Sequence, residues 1–262
     1  MTYQEQIEKE LIQKVIEWMK KIGNEVDRLI IDQYVYWEVQ KIVDTNPKVK
    51  KPSSFYDMVS YSYAMACVMG IRRLVDDHED AVSFVTLIDK LGKNRSVFCR
   101  KWYVSLWGDS PGASHSVENI KPEAREAVIK LMDEHVRSQH FARANEHFDR
   151  YSKPGEDLLD LEKLDEDTRK MVETAQKIQD YADRRVAHHD RNDPSNIPTY
   201  KELDDCIELL EKMCIKYNLL IKASSPSKLL PTWQYDWKEI FYHPWIEGVS
   251  RGSSPDDTSA TR

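Results

Sequence analysis

The segment 183–191 reads Asp-Arg-Arg-Val-Ala-His-His-Asp-Arg and gathers three arginines and two histidines within eight residues. A histidine with an unperturbed pKa of about 6.5 can accept and return protons near neutral pH. An arginine presents a planar fork of donors that matches the oxygen atoms of a phosphate group. Residues of these two types are able to carry out acid–base chemistry at a phosphate.

The spacing within the segment decides which of these side chains can act together. On an α-helix, Arg184 and His188 are four residues apart and lie within about 40° of each other, as do Arg185 and His189. Arg184 and His189 are five residues apart, and an α-helix separates them by roughly 140°. Cations at a helix C-terminus are also favoured by the helix dipole. The residues by themselves therefore favour a well-placed charged helix end, with the two aspartates as surface partners.

Hydrophobic side chains recur every three or four residues along most of the chain, which is the period of an α-helix. The segment 183–191 lies at the end of a helix predicted from about Thr168 through His188. No segment keeps the two-residue period of a strand, and the eight glycines form none of the common nucleotide-binding loops. We therefore predict an all-α fold, an elongated bundle of long helices. The other predicted helices cover about residues 3–22, 24–43, 54–75, 83–91, 96–106, 122–153 and 199–221, and Gly23 either separates the first two or lies within one long rod.

The composition and the positions of helix-breaking residues predict one helical domain over residues 1–248. A Gly-, Pro- and Ser-containing stretch at about 108–121 is predicted to be a turn-rich insertion. An aromatic segment at about 232–247 is predicted to dock back onto the bundle, and the small polar residues 249–262 to form a disordered tail. No apolar run is long enough to cross a bilayer and no signal segment begins the chain, so we predict a cytoplasmic protein with no membrane contact.

Metal and redox chemistry are not predicted. The four cysteines are dispersed without a Cys-x-x-Cys pair, which favours packed thiols. His135, His140 and His147 follow one another along a predicted helix with Arg143 between them, and a metal-bound bundle built on these histidines is a weaker alternative. The Glu-x-x-His pairs used by di-iron bundles do not occur in the sequence. We expect no cofactor and no metal ligand.

Three stretches of the chain resemble the HEPN domains (higher eukaryotes and prokaryotes nucleotide-binding), in the branch named after the abortive-infection protein AbiU. They are residues 71–76 (Ile-Arg-Arg-Leu-Val-Asp) with 83–91 after them, residues 184–190, and the aromatic residues 235–245. The resemblance implies a HEPN-type bundle with extra helices around the insertion. Active members are metal-independent endoribonucleases that work as homodimers, with both motifs facing one cleft. Members are implicated in phage defence or toxin systems, which implies a cognate antitoxin or defence partner.

The resemblance also implies roles for individual residues. An arginine and a later histidine with four to six residues between them form the catalytic signature, which assigns Arg184 to the scissile phosphate and a histidine to proton transfer during attack of the ribose 2′-OH. The Ala187-His188-x-Asp190 pattern ranks His188 first, whereas His189 leaves the four-residue gap of the signature after Arg184. The further expected roles are local positive potential from Arg185 and Arg191, and orientation of an imidazole by Asp183 or Asp190.

The alternative is a catalytically inactive HEPN module that acts in homo-oligomerisation or partner binding. Two observations favour it. The spacing from Arg184 to His188 is shorter than the family signature, and the net charge of the chain is −7. Contact with RNA would therefore depend on a local basic patch rather than on the field of the whole protein.

Overall fold

A computed structural model describes residues 2–108, 122–187, 196–224, 228–243 and 245. These ranges contain helices and connecting turns but no strand, which confirms the predicted all-α class. The predicted insertion beyond Gly108 and the predicted tail lie outside the described residues. The α-helices are α1 (Tyr3–Thr45), α2 (Ser54–Leu74), α3 (Phe84–Lys93), α4 (Arg100–Gly108), α5 (Pro122–Phe148), α6 (Leu161–Tyr181) and α7 (Tyr200–Lys222); a π-helix (Ala182–Ala187) and a 3₁₀ helix (Glu239–Phe241) complete the set.

Helix α1 runs as one rod through Gly23, so the two helices considered for residues 3–43 are a single helix. A glycine inside a helix costs about 1 kcal/mol relative to alanine. The buried residues on both sides of it follow one continuous apolar face, and their packing outweighs that cost. The buried residues of this face are Val15, Met19, Ile22, Val26, Leu29 and Ile30.

Helix α6 begins at Leu161, seven residues before the predicted start. Four acidic residues before Thr168, which lie outside the predicted helix, belong to its first turns; they are Glu162, Asp165, Glu166 and Asp167. The side chain of Asp160 caps the helix by accepting a hydrogen bond from the backbone N–H of Glu162 at 3.0 Å. Acidic side chains in a first helical turn are stabilised by the helix dipole, which explains why this stretch is helical despite its polarity.

The core lies where α1 packs against α2 and α7, and where α6 packs against α2, α3 and α7. Gly70 of α2 allows a close approach to α1, because a Cβ atom at this position would lie 2.7 Å from Cδ2 of Leu29. The C-terminal end of α2 is thereby held against α1. Helix α2 also packs against α6 and the π-helix, so it connects the centre of the bundle to the described start of segment 183–191.

Helix α4 packs against α5, and Arg100 joins α4 to the turns that follow α5. Its guanidinium donates to the backbone carbonyls of Asn145 and Glu156 and to the carboxylate of Asp149. The hydrogen bond from Arg100, followed by one from the backbone N–H of Gly155, holds the pKa of Asp149 below its usual range. Arg100 also lies over the ring of Phe148, which is fully buried.

The chain divides into two compact units, Met1–Leu230 and Pro231–Arg262. In the second unit, four aromatic rings spaced four residues apart form a continuous row. Neighbouring ring centroids are 6.2, 6.4 and 6.1 Å apart along Trp233, Trp237, Phe241 and Trp245. Docking of this segment onto the bundle stays a prediction. None of the described helices has the length and apolar character needed to span a bilayer.

Candidate functional site

Helix α6 changes its hydrogen-bonding pattern at its C-terminal end. Its apolar residues face the core at helical spacing through Ile178, and Ala182 is also fully buried. From Ala182 to Ala187 the backbone forms a π-helix, the type of helix that is closed by i→i+5 hydrogen bonds, although the N–H of Ala182 itself still bonds to the carbonyls of Ile178 and Gln179. Single π-helical turns inside α-helices occur frequently at functional sites. The predicted α-helix is therefore wrong over Ala182–Ala187, and His188 lies outside the described residues.

Two of the predicted site residues are described with their side chains. Asp183 and Arg184 are exposed in the first turn of the π-helix. Arg185 is described by its backbone within the same turn. The remaining predicted site residues, which lie outside the described part of the chain, are His188, His189, Asp190 and Arg191.

An ion pair joins the π-helix to the end of α2. Nε of Arg72 donates to Oδ1 of Asp183 at 2.6 Å, and Nη1 of Arg72 lies 3.8 Å from Oδ2 of Asp76. One turn earlier on α6, the side-chain amide of Gln179 donates to the carbonyl of Val75 at 3.4 Å. The sequence analysis assigned no role to Arg72. It lies 111 residues before Asp183, so no local pattern could pair the two.

A cavity of about 260 Å³ lies beside this junction. Its walls combine two valines with amide and carboxylate side chains, so both apolar and hydrogen-bonding surface face the opening. It is lined by Val75, Asp77, Val172, Gln176, Gln179, Asp180 and Asp183.

The start of α7, on the other side of residues 188–195, is held by an aromatic cluster around Asp204. The carboxylate of Asp204 accepts hydrogen bonds from Gln33 at 2.7 Å and from the indole of Trp37 at 3.0 Å. The phenol of Tyr63 donates to it at 3.3 Å, and the ring of Tyr63 stacks on Tyr36 with centroids 4.0 Å apart. Burial raises the pKa of Tyr36 to about 12 and that of Tyr63 further, so both phenols are neutral at physiological pH. The hydrogen bonds of the cluster therefore hold the start of α7 against α1 and α2.

An ion pair between Lys177 of α6 and Glu202 of α7 also joins the two helices that flank residues 188–195. Nζ of Lys177 lies 2.8 Å from both carboxylate oxygens of Glu202. Glu202 closes the capping box of α7 with Thr199, as the predicted Thr199 cap required. Hydrogen bonds from Lys177 and then from Thr199 lower the pKa of Glu202 to about 2. The described chain on both sides of residues 188–195 is thus anchored to the bundle.

The histidines of α5 do not form a metal site. The ring of His135 contacts the side chain of Gln139 at 2.9 Å, and the ring of His147 packs edge-on against Trp107 with centroids 5.2 Å apart. Within the part of the chain that the structure describes, no group of three or more His, Cys, Asp or Glu side chains could hold a metal ion. The cysteines are free thiols, as predicted, and burial raises the pKa of Cys206 and Cys214 to about 12.

His147 is expected to make the stability of the protein depend on pH. Burial, followed by the charges of Arg150 and Arg143, lowers its pKa, and its buried Nδ1 has no hydrogen-bond partner in the described part of the chain. Above about pH 6.5 the ring is neutral whether the chain is folded or unfolded. Below that pH the unfolded chain takes up a proton that the folded chain resists, so stability decreases as the pH falls.

The expected result is that a His147→Gln chain loses less thermal stability than the wild type between about pH 7 and pH 5.5. Thermal unfolding followed by circular dichroism at both pH values measures the difference. His135→Gln, which changes an exposed ring on the same helix, is the matched control and should keep the wild-type slope. Equal slopes for the wild type and His147→Gln would contradict the prediction.

Comparison with known proteins assigns the family. No curated protein and no solved structure matches the chain. A family model for HEPN domains, described as AbiU2, matches residues 12–241. That range covers most of the chain, including α2 and the π-helix. Two of the three stretches that suggested the resemblance lie wholly inside the match, and the third, 235–245, lies inside it as far as Phe241. The chain therefore belongs to the AbiU2 family of HEPN domains, an abortive-infection type.

Proposed function

We propose that the protein is a metal-independent endoribonuclease of a bacterial phage-defence or toxin system, acting as a homodimer. The observation that carries the proposal is the exposure of Arg184 in a π-helical turn that ends α6, within a chain of the HEPN type. The guanidinium of Arg184 holds the scissile phosphate and stabilises the negative charge that grows on it. Arg185 and Arg191 add local positive potential against the net charge of −7.

The chemistry requires one proton acceptor and one proton donor. A histidine removes the proton of the ribose 2′-OH as its oxygen attacks phosphorus. The bond to the 5′ oxygen breaks, and this oxygen receives a proton as it leaves. The products are a 2′,3′-cyclic phosphate and a free 5′-OH. Two copies of the motif facing one cleft would supply both imidazoles, which is the reason for proposing a homodimer, and no cofactor enters the reaction.

The π-helix changes the relation of Arg184 to the two histidines. Since i→i+5 bonding gives roughly 4.4 residues per turn instead of 3.6, residues five apart are separated by about 50° rather than about 140°, and residues four apart by about 30°. Such a turn would place either histidine near the face of Arg184, so this geometry does not choose between them. We propose His189 as the partner of Arg184 because only His189 leaves the four-residue gap of the family signature. Residues 188–195 themselves lie outside the described part of the chain.

Digestion of single-stranded RNA in the presence of a chelator tests the function. We expect the purified chain to leave 2′,3′-cyclic phosphate ends without added metal. The same RNA carrying 2′-O-methyl groups is the matched control, because it lacks the attacking hydroxyl and should stay intact. Intact unmodified RNA, or equal cleavage of the methylated strand, would contradict the proposal.

The second candidate function is that of an inactive module for homo-oligomerisation or partner binding. It is favoured by large apolar side chains exposed on α2, since exposed apolar patches mark interaction surfaces. Sedimentation analysis of the chain separates the two functions. A dimer that leaves RNA intact supports the inactive module. The exposed residues of this patch are Phe55, Met58 and Tyr61, with exposed fractions of 45, 55 and 67%.

A further inference from the structure

We propose that Arg72, in the last turn of α2, is a positioning residue that holds the start of the π-helix and thereby directs Arg184. The effect of Arg72 on RNA cleavage rests on the proposed function. The effect of Arg72 on the order of the π-helix is independent of that function.

The geometry of the pair makes Asp183 a fixed point. Nε of Arg72 lies 2.6 Å from Oδ1 of Asp183, a distance typical of a strong charge-assisted hydrogen bond. The guanidinium is also 3.8 Å from Asp76 on its own chain segment, so it faces a carboxylate on either side. Arg184 is the next residue after Asp183, and the backbone at Asp183 sets the direction in which its exposed side chain leaves the π-helix.

The two arginines at the end of α2, Arg72 and Arg73, contact different helices. Nη2 of Arg73 lies 3.2 Å from Glu25 on α1, and its Nε donates to the carbonyl of Met69. Arg73 therefore holds α2 against α1, and Arg72 holds the π-helix against α2. The ion pair of Arg72 and Asp183 joins α2 to the candidate site. Its loss should affect the position of Arg184 more than the stability of the fold.

The exposure of the pair distinguishes positioning from a structural role. The side chains of Arg72 and Asp183 are 34 and 55% exposed, and ion pairs of this kind contribute little to global stability. Loss of the pair should therefore leave the melting temperature almost unchanged while it alters the π-helix. A residue that only stabilised the fold would show the opposite pattern.

The test is a double-mutant cycle of Arg72→Ala, Asp183→Ala and the two combined, in the full chain. Hydrogen exchange of peptides covering residues 178–187 reports the order of the π-helix. The kcat and KM for a labelled single-stranded RNA report the site. Arg169→Ala is the matched control, because this arginine is exposed on α6 and pairs with Glu173 within the same helix.

We expect exchange in the 182–187 region to rise roughly two- to fivefold in both single variants, with a melting temperature like that of the wild type. The kcat should fall roughly ten- to a hundredfold with KM changed less than about twofold, because a misdirected Arg184 weakens charge stabilisation more than binding. The combined variant should lose no more than either single variant, because the two residues act as one unit.

Three outcomes would overturn the proposal: unchanged hydrogen exchange in Arg72→Ala, an equal effect of Arg169→Ala, or additive losses in the combined variant. Additive losses would mean that Asp183 acts separately, as in the predicted orientation of an imidazole. If the wild type does not cleave RNA, the proposed function is wrong. The exchange measurements then still decide whether Arg72 holds the π-helix.

Discussion

An RNA cleavage rate roughly a hundred- to ten-thousandfold below that of the wild type is the expected result for His189→Ala. This range is typical for the loss of a general acid or base. His189 leaves the four-residue gap of the family signature after Arg184, whereas only three residues separate Arg184 from His188. His188→Ala is the matched variant, because it removes the adjacent imidazole and leaves the same net charge at neutral pH.

Single-turnover cleavage of a labelled RNA in chelator measures both variants. We expect His188→Ala to keep most of the wild-type rate. A large loss in His188→Ala with little loss in His189→Ala would reverse the assignment and favour the Ala187-His188-x-Asp190 pattern instead. A pH profile adds an independent reading, because removal of a catalytic imidazole also removes the ionisation near neutral pH that it causes.

The free energy of unfolding is expected to decrease by about 1–3 kcal/mol in Asp167→Ala, the typical cost of leaving a buried hydrogen-bonding group without its partner. Asp167 of α6 is 9% exposed. Its Oδ2 accepts a hydrogen bond from the phenol of Tyr217 at 2.7 Å and lies 2.5 Å from Nζ of Lys216. Alanine would leave the fully buried Tyr217 hydroxyl without its acceptor and the Lys216 ammonium without its counter-charge. The contact joins α6 to α7, so its loss also loosens the two helices that lead into residues 188–195.

Urea unfolding followed by circular dichroism measures this loss. Asp167→Asn keeps an oxygen for Tyr217 and should lose less than Asp167→Ala. Asp165→Ala removes an exposed carboxylate from the same turn of α6, and we expect it to change stability by less than about 0.5 kcal/mol. Similar values for Asp167→Ala and Asp165→Ala would show that the α6–α7 contact contributes little.

The sequence by itself determined the fold class and the start of most helices. Helical periodicity and capping are local properties, so they can be recognised without knowledge of neighbours in space. The predicted helix starts at about residues 54 and 199 agree with α2 and α7, which Ser53 and Thr199 cap. The predicted start of α6 is wrong, because the acidic residues of its first turns are polar like a loop, although Leu161 and Leu164 stand at helical spacing among them.

The tertiary structure alone decided how the candidate site is built. The π-helix starts at Ala182, which is buried, while the next residue is exposed and pairs with Arg72 of α2. Both features depend on contacts between residues far apart in the chain, which no spacing within 183–191 contains. Asp204 is a further example, since its partners come from α1 and α2. The sequence contains the residue types that can act on a phosphate. The directions of their side chains depend on the helices packed against the segment, because those contacts fix the backbone from which each side chain extends.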